Sequence, residues 1–206
     1  MKQTPYFRES YRRILATAGF VVALAITACG TPAAGAATAS PTPGPVTADS
    51  IAAVFANSLM DNGHFKMHGT LIRNRTYFPI TGDGVLQQRP TEALLMNFNV
   101  QTYSSQGVLK IEEIAIGTRL FIRTGTGKWG QKRETASPTH PTIYVGEEII
   151  GTEAVWHARS TAGSSMFDIW IRESDGFPVQ LMYASTSGKL TMNFNTYNKG
   201  PLIKAP

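Results

Sequence analysis

The chain has 206 residues, 42% apolar and 16% charged, with a formal charge of +5 and a single cysteine. Such a composition supports a packed core and excludes a disordered acidic or basic tail. One cysteine also excludes an intramolecular disulfide or a Cys-based zinc cluster, and the length suits one ordinary domain or two small ones.

Lys2, Arg8, Arg12 and Arg13 crowd the first thirteen positions with only Glu9 against them, and Ile14 to Ala28 then carries no charge. A basic start, a 15-residue apolar run and small residues at its end predict a secretory signal over residues 1–28. The run is short of the ~20 residues that a spanning helix needs. Tyr11-Arg12-Arg13-Ile14-Leu15 resembles part of a twin-arginine signal, with Tyr in place of Ser or Thr, so the export route stays open between Sec and Tat. Ile26-Thr27-Ala28-Cys29-Gly30 resembles a bacterial lipobox: an aliphatic residue, two small ones, then Cys. The resemblance implies a diacylglyceryl group on the Cys29 thiol and cleavage before it. Acyl chains at ~0.8 kcal/mol per buried CH₂ then anchor the protein to a membrane.

Without residues 1–28 the chain keeps 15 basic and 13 acidic residues, a net of +2. The densest remaining basic cluster is Lys128 with Lys132 and Arg133, and no basic stripe survives. A nucleic-acid partner is therefore not expected. Residues 29–48, rich in Ala, Pro and Thr, cannot bury enough apolar surface to offset their ordering entropy. They read as a tether partly extended by Pro41, Pro43 and Pro45.

Residues 49–206 are expected to form one domain. It opens with a helix capped by Thr47 or Asp49, with Ile51, Val54, Phe55 and Leu59 on one face and a stop at Asn62-Gly63. The periodicity then changes to two. Phe65, Met67, Gly69 and Leu71 alternate with polar residues, as do Met96, Phe98 and Val100. Leu120 with Ile122, Phe167 with Ile169 and Ile171, and Met192 with Phe194 follow the same rule. Each run predicts a strand with one apolar face. Turn signals are read at Gly82-Asp83-Gly84, Ser104 to Gly107, Gly125-Thr126-Gly127, Asp175 to Pro178 and Ser187-Gly188. The expected fold is mainly β (α+β). It is a curved antiparallel half-barrel of about eight to ten strands with the N-terminal helix on its concave face, since so wide a sheet curls.

Several pieces carry a family resemblance. They are Gly63-His64-Phe65-Lys66-Met67-His68-Gly69, Gly117 to Arg123 followed by Lys128-Trp129, Phe167 to Ile171 with Asp175-Gly176-Phe177-Pro178-Val179, and Tyr197 to Ile203 with Pro206. In this order, behind a lipobox and a Pro/Thr tether, they resemble the LppX/LprG-type bacterial lipoproteins of the LolA-like fold. That resemblance implies a half-barrel with a hydrophobic cavity that holds or carries lipids in the cell envelope. Larger members insert lid helices after the strand near the tryptophan. Here only about twenty residues, Gly130 to Ile149, follow Trp129 before the next strand-like run. They hold Pro138 and Pro141 and show no helical pattern, so a reduced or missing lid is expected.

No nucleophile elbow, P-loop or HExxH motif occurs, and no catalytic residue or cofactor is assigned. His64 and His68 suggest at most a weak metal pair. The adjacent carboxylates Glu112-Glu113 and Glu147-Glu148 face opposite sides of their strands and are expected to be solvated. The expected function is a membrane-anchored, extracytoplasmic lipoprotein. Its concave face, lined by Phe65, Met67, Met96, Phe98, Val100, Ile122, Ile169 and Met192, would hold a lipid or other hydrophobic molecule. The alternative is an interaction or sensor domain whose concave face is filled by its own helix.

Overall fold

The computed structural model describes residues 45–102, 107–133 and 141–206. The predicted signal, the lipobox with Cys29 and the tether up to residue 44 lie outside these, as do Ser104 to Gln106, Pro138 and His140.

Helix α1 spans Ala48–Asn57. Thr47 caps it: its hydroxyl accepts from the Ser50 N–H at 3.2 Å, and the Ser50 hydroxyl accepts from the Thr47 N–H at 2.9 Å. The helix is shorter than its sequence pattern suggests. Ser58 turns extended, Leu59 is left 77% exposed, and Met60 is fully buried instead. Asn62 and Gly63 begin a strand, paired with Gln87 and Leu86, and do not serve as a helix stop.

Eleven strands follow among the described residues: β1 Asn62–Arg73, β2 Thr76–Gln87, β3 Ala93–Gln101, β4 Val108–Ile116, β5 Arg119–Thr124, β6 Gly130–Arg133, β7 Thr142–Ile150, β8 Glu153–Ala162, β9 Ser165–Arg172, β10 Pro178–Ser185 and β11 Gly188–Tyr197. They form one antiparallel sheet in the order β6-β5-β4-β3-β2-β1-β11-β10-β9-β8-β7. The count exceeds the expected eight to ten partly because β6 is short and wholly exposed, with no apolar alternation to signal it. Gly82-Asp83-Gly84 is not a turn. It lies in mid-β2, paired with β1 on one side and β3 on the other. Pro79 is tolerated in β2 because the β3 ladder starts only at Ile80, leaving that end of the strand unpaired on one side. Gly130 to Ile149, where lid helices were expected to be reduced or missing, contributes β6 and most of β7; no helix occurs among its described residues.

The first and last strands of the meander pair in the middle of the sheet, so β6 and β7 become its two edges. Laid flat, eleven strands would set those edges about 48 Å apart at ~4.8 Å per gap. Arg133 and Thr142 are nine residues apart, a reach of at most ~32 Å. The sheet must therefore curl.

Register separates the two faces. Tyr144, Ala158, Ile169, Leu181, Met192, Met67, Gly82, Phe98 and Ile111 lie side by side on successive strands from β7 to β4. The row one residue along the strands reads His157, Trp170, Gln180, Asn193, Lys66, Asp83, Asn97, Glu112 and Arg123. The apolar row is inside the curl: Met67, Met192 and Leu181 are 1–3% exposed although the helix rests on the β7–β9 side of the sheet.

Ile51 of α1 packs with Ala158 and Ile171, joined by Val46, Phe55, Tyr144, Trp156 and Ile169. At the other end of the helix, the Gln88 amide beyond β2 donates to the Phe55 and Ala56 carbonyls at 2.9 and 3.3 Å. The helix is thereby held to both halves of the half-barrel, on its inner face.

Candidate ligand-binding face

All eight predicted lining residues lie on the inner face. Phe65, Met67, Met96, Phe98, Val100 and Met192 belong to one buried cluster with Leu94, Ile111, Ala115, Leu120, Leu181 and Phe194. Ile122 packs against that cluster from β5, and Ile169 against the second one under α1. The two clusters meet where Ile169 pairs with Leu181. The six buried lining residues are 0–7% exposed and pack on one another. The Phe65 and Phe194 ring centroids, for example, are 5.2 Å apart. The face is thus a closed apolar core here, its side chains filling the curl.

One inner-face residue runs against the solvated reading of the paired carboxylates. Glu113 is 0% exposed, flanked by Met96 on β3 and Ile122 on β5. The signal for it was its parity with Ile111 and Ala115, two residues away on either side. Glu112, on the outer face, does pair with Arg123, whose guanidinium also lies 4.7 Å from the Trp129 ring centroid.

The outer face carries a polar network that sequence reasoning did not assemble. His157 is 4% and Asp168 0% exposed. The His157 ring lies between two carboxylates, with Nε2 2.7 Å from Asp168 Oδ1 and Nδ1 2.7 Å from Glu148 Oε1. Arg159 Nε donates to the same Asp168 oxygen at 2.6 Å, and the Trp170 indole N–H to Glu148 Oε2 at 2.9 Å. The Trp170 and His157 rings stack with centroids 4.3 Å apart. The Trp170 hydrogen bond, followed by that of His157, holds the Glu148 carboxyl below its ordinary value against the opposing effect of burial. Glu148 comes from β7, His157 and Arg159 from β8, and Asp168 and Trp170 from β9, so only the strand register could reveal the network.

Among the described residues no group of three His, Cys, Asp or Glu is placed to hold a metal ion. His64 and His68 sit four residues apart on β1, a separation of about 13 Å along a strand, too long for one ion to bridge. His64 instead contacts the Lys199 carbonyl through Nε2 at 2.6 Å. No described helix is long and apolar enough to cross a membrane.

No protein-family model matches the chain, and no curated protein matches it. Similar solved structures include LprF from Mycobacterium bovis, at 10% identity over 77% of this chain and 98% of that one, with a TM-score of 0.43. They also include the Mycobacterium tuberculosis lipoprotein LppX, at 12% identity over 76% and 100% with a TM-score of 0.44. A DUF1329 family protein from Desulfovibrio piger covers more of this chain, 91% against 95% of its own, at 7% identity and a TM-score of 0.38.

Proposed function

We propose that the chain is an extracytoplasmic lipoprotein, anchored to a bacterial cell membrane through lipidated Cys29, that binds or carries a lipid or other hydrophobic molecule on its inner sheet face. No catalytic role is assigned. The observation that carries this reading is an apolar row running across the half-barrel with Met67 and Met192 at its centre and Met96 beside it. Methionine is unbranched and can change rotamer to make room for an acyl chain, so the filled core is the ligand-free state of an adaptable site. Burial of the ligand at about 25 cal/mol per Å² of apolar area would supply the driving force. The second reading, an interaction domain without a ligand, draws support from the 0–7% exposure of the six buried lining residues.

Two experiments test this. A Cys29→Ser variant should leave the membrane fraction for the soluble one, and continued membrane retention would refute anchoring at Cys29. The released protein, extracted with organic solvent and examined by mass spectrometry, should yield a stoichiometric lipid. An empty extract together with no uptake of a fluorescent fatty acid would favour the interaction domain.

A further inference from the structure

Arg119 opens β5 and Arg133 ends β6, and the two stand directly opposite each other in the register. Directly opposed residues in an antiparallel pair have Cβ atoms about 4.5–5.5 Å apart, and like charges there destabilise the pairing. Elsewhere on the sheet arginines meet carboxylates: Arg123 with Glu112, Arg159 with Asp168, and Arg172 with Glu153 and Asp175. Neither Arg119 nor Arg133 has an ion pair among the described residues. Both are exposed.

They border a recess of about 480 Å³, completed by Thr91, Thr118, Gln131 and the short β4–β5 turn. That volume lies within the usual range of ligand sites. Beside Ile116 the lining supplies two guanidinium groups, two hydroxyls and an amide, and no carboxylate lines it among the described residues. Gly117 takes a left-handed φ of +56° in the turn, which lets β4 reverse into β5 over two residues and sets Thr118 and Arg119 side by side at the rim. Leu120 faces the inner core, so Arg119, one residue away, belongs to the outer face.

We propose that this recess is an oxyanion site in which Arg119 and Arg133 bind a phosphate group, either of an anionic phospholipid headgroup or free in solution. A phosphate between the two guanidiniums turns a repulsive pair into two charge-assisted, fork-shaped contacts. Thr91, Thr118 and Gln131 line the same recess and carry hydroxyl and amide donors for its remaining oxygens. On a chain tethered to a membrane, the same site would orient the domain against the lipid surface. It is separate from the inner apolar face and does not depend on that face holding a ligand.

The test uses the Cys29→Ser chain, so that no acyl anchor contributes. Inorganic phosphate is titrated in while the Arg119 and Arg133 Nε–H and Gly117 and Thr118 backbone N–H signals are followed by NMR. Co-flotation is measured with phosphatidylglycerol and with phosphatidylcholine vesicles. Phosphate binding that falls at least tenfold in Arg119→Gln and in Arg133→Gln, but not in the exposed-arginine control Arg75→Gln, upholds the site. Binding of phosphatidylglycerol vesicles with the same dependence assigns it to a headgroup, whereas phosphate binding without flotation assigns it to free phosphate. Unperturbed signals with no flotation, or an equal loss in Arg75→Gln, overturns the proposal. Circular dichroism of each variant confirms that the fold is retained. Lipid recovered by organic extraction should not change with these substitutions, so failure here and failure of the inner-face reading are distinguishable.

Discussion

The ring of Phe65 occupies the space that a Cβ at Gly84 would need, and the Leu95 carbonyl closes the same space from the other side. Gly82 stands likewise under Met67, whose Cγ is 3.2 Å from where its Cβ would be. These glycines let large β1 side chains lie flat across β2. Gly84→Ala should therefore destabilise the protein by about 1–3 kcal/mol, the usual cost of overpacking a filled core. Neither neighbour can retreat cheaply, because one is backbone and the other is buried. Gly107→Ala provides the comparison. Gly107 has a φ of +71° with open space around it, so only backbone strain is felt there. Urea denaturation should show the larger midpoint loss for Gly84→Ala, and equal losses would contradict the packing explanation.

His157 stands between Glu148 and Asp168, with each ring nitrogen 2.7 Å from a carboxylate oxygen. Asp168 is wholly buried, and its Oδ2 finds no hydrogen bond among the described residues. His157→Leu strips one of two contacts from Asp168 Oδ1 and leaves the charge of that buried carboxylate to Arg159 alone, and it should cost about 1–3 kcal/mol. In the double variant with Asp168→Asn that charge is gone. Its loss should be clearly less than the sum of the two single losses. Additive losses in a denaturation cycle would show that the two side chains act separately.

These two sites also mark what local pattern can and cannot carry. The alternation around Phe65, Met96, Ile169 and Met192 assigned each to the apolar face, because a period of two leaves a strand residue only two directions. Gly82 and Gly84 misled, since glycine punctuates turns as readily as it makes room for a neighbour. The reason for both glycines lies on β1, fifteen or more residues earlier in the chain. The same holds for Glu113: parity placed it inward, but its full burial depends on how tightly the sheet curls. That curl follows from pairing β1 with β11 across the whole chain. Whether the eight lining residues form an open floor or a filled core is decided by it, and no local signal reports it.

The methionines offer a test of the adaptable-core reading. Changing Met67, Met96 and Met192 to leucine keeps volume nearly constant, so each single substitution should cost less than about 1.5 kcal/mol. Leucine is branched and has fewer ways to move aside. The triple variant should stay folded yet take up a fluorescent fatty acid more weakly than the parent. Unchanged uptake would show that these three side chains do not yield to the ligand.

Acid stability should depend on Glu148. Its carboxyl is held below the ordinary value of 4.5, first by the Trp170 indole N–H and then by His157. A lowered folded-state value means that the contribution is present above the unfolded value and is lost as pH falls through the folded one. Urea midpoints followed downward from pH 6 should fall less steeply below about pH 4.5 in Glu148→Gln than in the parent, if the carboxylate is the group responsible. Parallel curves would remove Glu148 from the acid response.

At the alkaline end the group to watch is Tyr197. Its hydroxyl donates to the Pro178 carbonyl at 2.6 Å, and its ring packs against Phe177 with centroids 4.9 Å apart. Burial pushes its pKa from 10.0 up to about 12, although the Arg172 guanidinium, 5.2 Å from the ring centroid, favours the phenolate. Because the folded-state value is raised, the neutral phenol stabilises the fold fully below pH 10, and that contribution is lost as pH rises through 12. Tyr197→Phe should lower stability at neutral pH by about 1 kcal/mol for the lost hydrogen bond. It should also make stability less dependent on pH between 10 and 12. In a phenolate absorbance titration the variant should lose a tyrosine that ionises near 12 in the parent. If that late step persists in Tyr197→Phe, another tyrosine is the buried one, and burial of Tyr197 does not hold its phenol neutral.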